Sequence, residues 1–161
     1  MSRWISTVLL ALALTGCGFH LPQQAELPAE MALVRMVVQD PYSDYARRLS
    51  ILLEQNGSDL VEDASGTSVL QVPLNRVRKE ILTIGDNARV REYRLRHTVK
   101  FSLLDAEGNV LVSEQTLEQS RVISFDERDI LGAAQEDEQL RREMADTLAR
   151  LTLRRLGTAG S

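Results

Sequence analysis

Residues Glu92-Tyr93-Arg94-Leu95-Arg96-His97-Thr98-Val99-Lys100-Phe101-Ser102-Leu103 decide the fold. Tyr93, Leu95, His97, Val99, Phe101 and Leu103 occupy every second position, with charged or hydroxyl side chains between them. Successive side chains of a strand leave on opposite faces, so this alternation predicts a strand with one face buried and one face wet. It is long against a usual strand of about 5–6 residues, and strong twist is expected. Asp105-Ala106-Glu107-Gly108-Asn109 closes a hairpin, and Val110 to Phe125 runs back with Leu111, Leu117, Ile123 and Phe125 on the core parity. Gln115 and Gln119 share that parity, so this strand is less completely covered.

Upstream, Val69 to Thr83 starts another strand. Leu70, Val72 and Leu74 share one face, then Arg76 falls where an apolar residue was due, and Val77 and Ile81 carry the other parity. A β-bulge near Pro73 to Arg76 switches faces in that way. Met31 to Gln39 reads as the first strand. Asp40-Pro41 reads as a helix start, with Asp40 as N-cap and Ser43 as a competing cap. Tyr45, Leu49, Leu52 and Leu53 lie at helical spacing, and Asn56-Gly57 ends the helix. After the charged linker Asp126 to Asp129, Leu140, Met144, Leu148 and Leu151 mark a long helix from about Ala133 to Arg155. The order is β-α-β-β-β-α. It predicts an α+β fold, a four-stranded mixed sheet with two helices packed on one face.

The N-terminus is of a different kind. Arg3, an apolar run from Trp4 to Leu14, and the small residues before Cys17 form a secretory signal too short to span a ~30 Å hydrocarbon core. Leu14-Thr15-Gly16-Cys17 resembles the bacterial lipobox, which implies cleavage before Cys17 and lipid on its sulfur. Gly18 is not the Asp that marks inner-membrane retention in that class, so the expected location is the periplasmic side of the outer membrane, through lipid on Cys17. The chain then divides into a signal peptide (1–16), a lipidated N-terminus and Pro-containing tether (17–30), one α+β domain (31–157) and a flexible tail (158–161).

Composition narrows the function. With 19 Lys+Arg against 23 Asp+Glu, and Arg3 lost on cleavage, the net charge goes from −4 to −5, which gives a nucleic-acid partner no electrostatic support. Cys17 is the only cysteine, so no disulfide is available to the domain. No catalytic group, metal site or cofactor motif emerges. His97 sits on the core-facing parity, where a packed, hydrogen-bonded histidine is the expected role. What remains is the open face. A five-residue turn sets Lys100 against Glu114 and Arg96 against Glu118 as cross-strand pairs. Arg76, Arg78, Lys79, Arg89 and Arg91 have no partner at that register and are the candidate ligand-binding residues, since arginine presents a forked donor to phosphate. The same residues can equally form a solvated face.

Several features match a known pattern in order along nearly the whole chain: Gly16-Cys17-Gly18-Phe19-His20-Leu21 after a signal, Asp40-Pro41-Tyr42 leading a helix that ends Asn56-Gly57, the Glu92-Tyr93 strand, and the closing helix with Leu140, Met144, Leu148 and Leu156. Together they resemble the LptE family of LPS-assembly lipoproteins. The resemblance implies a non-enzymatic partner of the LptD outer-membrane β-barrel, seated in its lumen as a plug, needed for its maturation, and touching lipopolysaccharide. Members often carry a basic residue near the start of the last helix. Here that stretch is Leu131-Gly132-Ala133-Ala134-Gln135-Glu136, which moves the expected lipopolysaccharide contact to the strand arginines. A scaffold of another outer-membrane machine, such as the barrel-insertion apparatus, and a periplasmic lipid-binding carrier are the alternatives.

Overall fold

The computed structural model describes residues 27–62, 66–84, 90–124 and 130–158, without the side chains of residues 90, 91, 130 and 131. A single 3₁₀ turn, Ala29–Ala32, buries Met31 and leads into β1 (Leu33–Val38). There follow α1 (Asp44–Gln55), β2 (Asp59–Leu60), β3 (Ser68–Ile84), β4 (Val90–Leu104), β5 (Val110–Ser124) and α2 (Ile130–Gly157). The sheet order is β2-β1-β3-β4-β5. β1 is parallel to both of its neighbours, and β3, β4 and β5 are antiparallel. The sheet is therefore mixed, as expected, but has five strands where four were read. The extra one, β2, is two residues bonded to Leu33 and Val34, too short to carry any periodicity.

The start of α1 is decided by competition between caps. Ser43, not Asp40, is the N-cap, its hydroxyl accepting from the Ala46 N–H at 3.3 Å. The Asp40 carboxylate is used one turn earlier, accepting from the Tyr42 N–H at 3.0 Å. At the other end the Ser58 N–H bonds to the Leu53 carbonyl and the Gly57 N–H to that of Glu54. This crossed pair requires the left-handed backbone that Gly57 supplies at φ 89°. α2 runs three residues before and two residues after the expected Ala133 to Arg155, and at its C-terminal end Leu156 is fully buried in the core.

β3 is bulged where the parity broke. Gln71 pairs with Ser102 and Leu74 with Lys100, three residues against two. Leu70 and Val72 face the helices before the bulge, and Asn75 and Val77 face them after it. β5 carries its own irregularities between Val110 and Gln115. Their effect overturns one expectation: Val112, at 4% exposure, is the core residue, and Leu111 is exposed.

Both helices cover one face. The main core joins Met31 and Val34 to Tyr45, Leu49 and Leu53 of α1, Leu70, Val72, Val99, Phe101 and Leu103 of the sheet, and Leu148, Ala149, Leu153 and Leu156 of α2. Fully burying a side chain of the Leu or Phe class stabilises by about 1.5–3 kcal/mol, so these contacts hold the layers together. A smaller cluster of Tyr93, Leu95, Ile123 and Met144 lies further along the sheet under the first half of α2. Between the two clusters sits a polar layer. His97 Nε2 meets Asn75 Oδ1 at 2.7 Å, and Asn75 Nδ2 donates to the Ser43 hydroxyl at 2.9 Å, tying the sheet to the cap of α1. Close by, the buried Thr152 hydroxyl donates to the Leu148 carbonyl. The Tyr45 hydroxyl must then be the donor in its 2.9 Å contact with Thr152. Burial pushes the Tyr45 phenol well above its ordinary range, and it stays protonated.

Candidate functional site

The face of the sheet away from the helices is built from alternate residues of β3, β4 and β5, and it is almost wholly polar. Lys100 reaches Glu114 at 2.8 Å and Arg96 reaches Glu118 at 2.7 Å, the two pairs expected from the hairpin. The backbone register is not the one assumed. Lys100 lies opposite Thr116 and Arg96 opposite Ser120, so both pairs run diagonally across the ladder. Long side chains span that offset. Arg96 also takes Glu80, at 3.1 Å, and Glu80 lies 3.9 Å from Arg94. The hydrogen bond that Arg96 donates to Glu80, and the charge of Glu118, raise its already high pKa, and it is fixed as a cation. Glu80 was not foreseen as a partner, because its place opposite Arg94 depends on the β3 bulge.

Of the five candidate ligand residues the structure describes the side chains of three, and these do not share one surface. Arg76 and Arg78 lie on the open face, exposed, and no ion pair to either occurs among the described residues. With Leu74, Arg96, Thr98 and Glu118 they line a shallow cleft of about 240 Å³. Arg78 stands directly opposite Arg96, whose charge is answered by two glutamates while that of Arg78 is not. Lys79 does not belong to this surface. It lies on the helix side, 3.4 Å from Asp137 of α2 and with its ammonium 3.5 Å from the centroid of the Tyr93 ring. The expectation that Lys79 has no partner is therefore corrected: it clamps α2 onto β4. Its parity, shared with Val77 and Ile81 beyond the bulge, was the available signal. Arg89 and the side chain of Arg91 fall outside the described residues, as does Cys17.

A second cleft, of about 290 Å³, opens where Asp40, Ser43 and Asp44 meet Asn75, His97 and Arg141. It does not make His97 a base. Asn75 spends its amide hydrogens on Ser43, so its oxygen faces Nε2, and Nε2 carries the ring proton. Nδ1 is then a bare acceptor, sealed from solvent and without a partner among the described residues. Burial, and secondarily the charge of Arg141, lower the pKa of His97 to about 4. Among the described residues no group of three His, Cys, Asp or Glu side chains could hold a metal ion, and no helix is long and apolar enough to cross a membrane.

Comparison with known proteins bears on the family and the fold. The LptE lipopolysaccharide-assembly family model matches residues 33–156. Curated relatives include the LPS-assembly lipoprotein LptE of Photorhabdus laumondii, 29% identical over 98% of this chain and 88% of that protein. The protein of the same name from Pectobacterium atrosepticum is 24% identical with the same coverage. Among solved structures, a lipoprotein B from Nitrosomonas europaea superposes with a TM-score of 0.72 at 26% identity, covering 89% of this chain and 94% of its own. A minor lipoprotein from Acinetobacter baumannii gives 0.66 at 26% identity, covering 80% and 92%.

Proposed function

The chain belongs to the LptE lipopolysaccharide-assembly family, and from that premise we propose that it is the lipid-anchored, non-catalytic partner of an LptD-type outer-membrane barrel. It sits in the barrel lumen as a plug, supports maturation of the barrel, and assists lipopolysaccharide transport to the outer leaflet. One observation carries this reading: the sheet buries one face under two helices and leaves the other as a broad charged surface. A porin-like lumen is polar, so a plug for it needs a polar exterior. The interior is filled by side chains such as Val34, Leu49, Leu70, Phe101 and Leu148, all at 0% exposure. A lipid carrier needs a ligand-sized apolar cavity, so this filling speaks against that alternative.

Anchoring through Cys17 holds the domain at the periplasmic leaflet. One acyl chain anchors marginally at about 0.8 kcal/mol per buried CH₂, and two or more hold firmly. Contact with lipopolysaccharide falls to Arg76 and Arg78, with Arg89 and Arg91 as further candidates from sequence, since a phosphate meets the first two without breaking an ion pair among the described residues. Affinity isolation of the tagged protein from outer membranes tests the main claim. Recovery of an LptD-type barrel is the expected result. Recovery of the barrel-insertion apparatus in its place would make the chain a scaffold of that machine.

A further inference from the structure

The two edges of the sheet are built differently. At one end of the strand order lies β2, two residues long. At the other lies β5, bonded to β4 along one side and, among the described residues, to no strand along the other. Its ten residues from Gln115 to Ser124 pair with β4 without a register shift, a regular run of about 33 Å at ~3.3 Å per residue. α2 covers little of it, since only Val112 and Ile123 of its 15 residues are buried. Long free edges are templates for another strand, and proteins blunt them with short strands, proline, lysine or bulges. β2 is blunted by its length. β5 contains no proline, glycine or lysine. The charges of Glu114 and Glu118 are drawn back over β4, to Lys100 at 2.8 Å and Arg96 at 2.7 Å, and do not guard the outer side. From Gln115 to Ser124 every second residue therefore turns an unpaired N–H and C=O outward.

Charge selects the occupant. Arg121 lies opposite the buried Leu95, hence on the helix side, and is exposed. Its guanidinium donates to its own strand, to the Ser120 carbonyl at 3.0 Å and Gln119 Oε1 at 3.4 Å, and no ion pair to it occurs among the described residues. A second copy of β5 does not answer that charge. The helix-side residues Gln115, Leu117, Gln119 and Ile123 carry no carboxylate, and Glu114 and Glu118 of the open side are already held. The wall of a closed barrel does not answer it by strand pairing either, because its strands have no free edge. An extended connecting segment does. We propose that β5 takes an extended acidic segment of the barrel partner as a sixth strand, with a carboxylate of that segment on Arg121. Main-chain hydrogen bonds supply the attachment and the charge fixes the register. This rests on the reading of the chain as the partner of an LptD-type barrel, and it adds the edge and the chemistry of their contact.

The test is amide hydrogen exchange, read residue by residue, on the full mature chain in detergent, alone and in the complex co-isolated with the barrel. Alone, every second amide from Gln115 to Ser124 should exchange at least tenfold faster than its neighbours, which are bonded to β4. In the complex those fast amides should slow at least tenfold, so that the alternation disappears. Arg121→Glu should lower the recovered barrel at least fivefold and Arg121→Lys should not, with circular dichroism checking both folds. Barrel recovered while the alternate amides stay fast overturns the proposal and leaves the barrel partnership standing. Slowed amides with full recovery by Arg121→Glu overturn the acidic occupant. If no barrel is recovered, the partnership and the proposal fall together. Alternate amides that are slow in the concentrated chain alone and fast on dilution assign the edge to a second copy, which also overturns the proposal.

Discussion

His97 should make this fold weaken with acid well before its carboxylates titrate. The ring is 3% exposed, its Nε2–H is held by Asn75, it meets the Tyr45 ring in a T-shaped contact at a 6.2 Å centroid distance, and its Nδ1 has no donor among the described residues. Burial and, to a lesser degree, the charge of Arg141 oppose a proton on it, and together they outweigh Asp44, which favours one. The pKa is therefore lowered from 6.5 to about 4. As pH falls through 6.5 the unfolded chain takes up this proton and the folded chain does not. Stability is full above that point and is lost between pH 6.5 and about 4. A unit of pKa is about 1.4 kcal/mol, so the whole loss is about 3 kcal/mol, of which about 2 has gone by pH 5. Asp137 and Asp146, whose pKa values are lowered by hydrogen bonds from arginine against the opposing effect of burial, lose their contributions only as pH falls below the ordinary carboxylate value of 3.8. The two windows are thus separate. Urea unfolding at pH 7.5 and pH 5, on the wild type and on His97→Gln, measures the effect. The wild type should lose about 2 kcal/mol between these conditions, while the glutamine variant stays nearly level. Equal slopes for the two proteins would refute the assignment of a sealed, neutral His97.

Three other outcomes are expected. Phe101→Ala should cost about 3–5 kcal/mol because it empties the centre of the main core, whereas Thr98→Ala on the open face should change stability by less than about 0.5 kcal/mol; equal denaturation midpoints would contradict the burial pattern of β4. Tyr45→Phe should cost about 1 kcal/mol, the net value of one hydrogen bond, since Thr152 keeps its own acceptor in Leu148; thermal unfolding resolves a change of that size. Cys17→Ser should abolish labelling by palmitate, because only the thiol forms the thioether, and retained labelling would remove the lipid anchor from the account.

The sequence by itself determined what depends on local spacing. The alternation from Tyr93 to Leu103 set the sheet, Gly57 ended α1, and the misplaced Arg76 announced the bulge in β3. The resemblance of Leu14 to Cys17 to a lipobox is also read from consecutive residues, whereas the LptE resemblance rests on features spread along nearly the whole chain. Only the tertiary structure decided features that depend on how distant segments return to one another. Asp59–Leu60 becomes a strand because β1 lies beside it, and two residues have no period of their own. Ser43 displaces Asp40 as cap because Asn75, 32 residues away, bonds its hydroxyl. The diagonal reach of Arg96 and Lys100 follows from irregularities in β5 that alternation could not place. Lys79 shows the limit most clearly. Its parity after the bulge was readable, but its partner Asp137 is 58 residues away, and an ion pair forms where two distant segments meet in space.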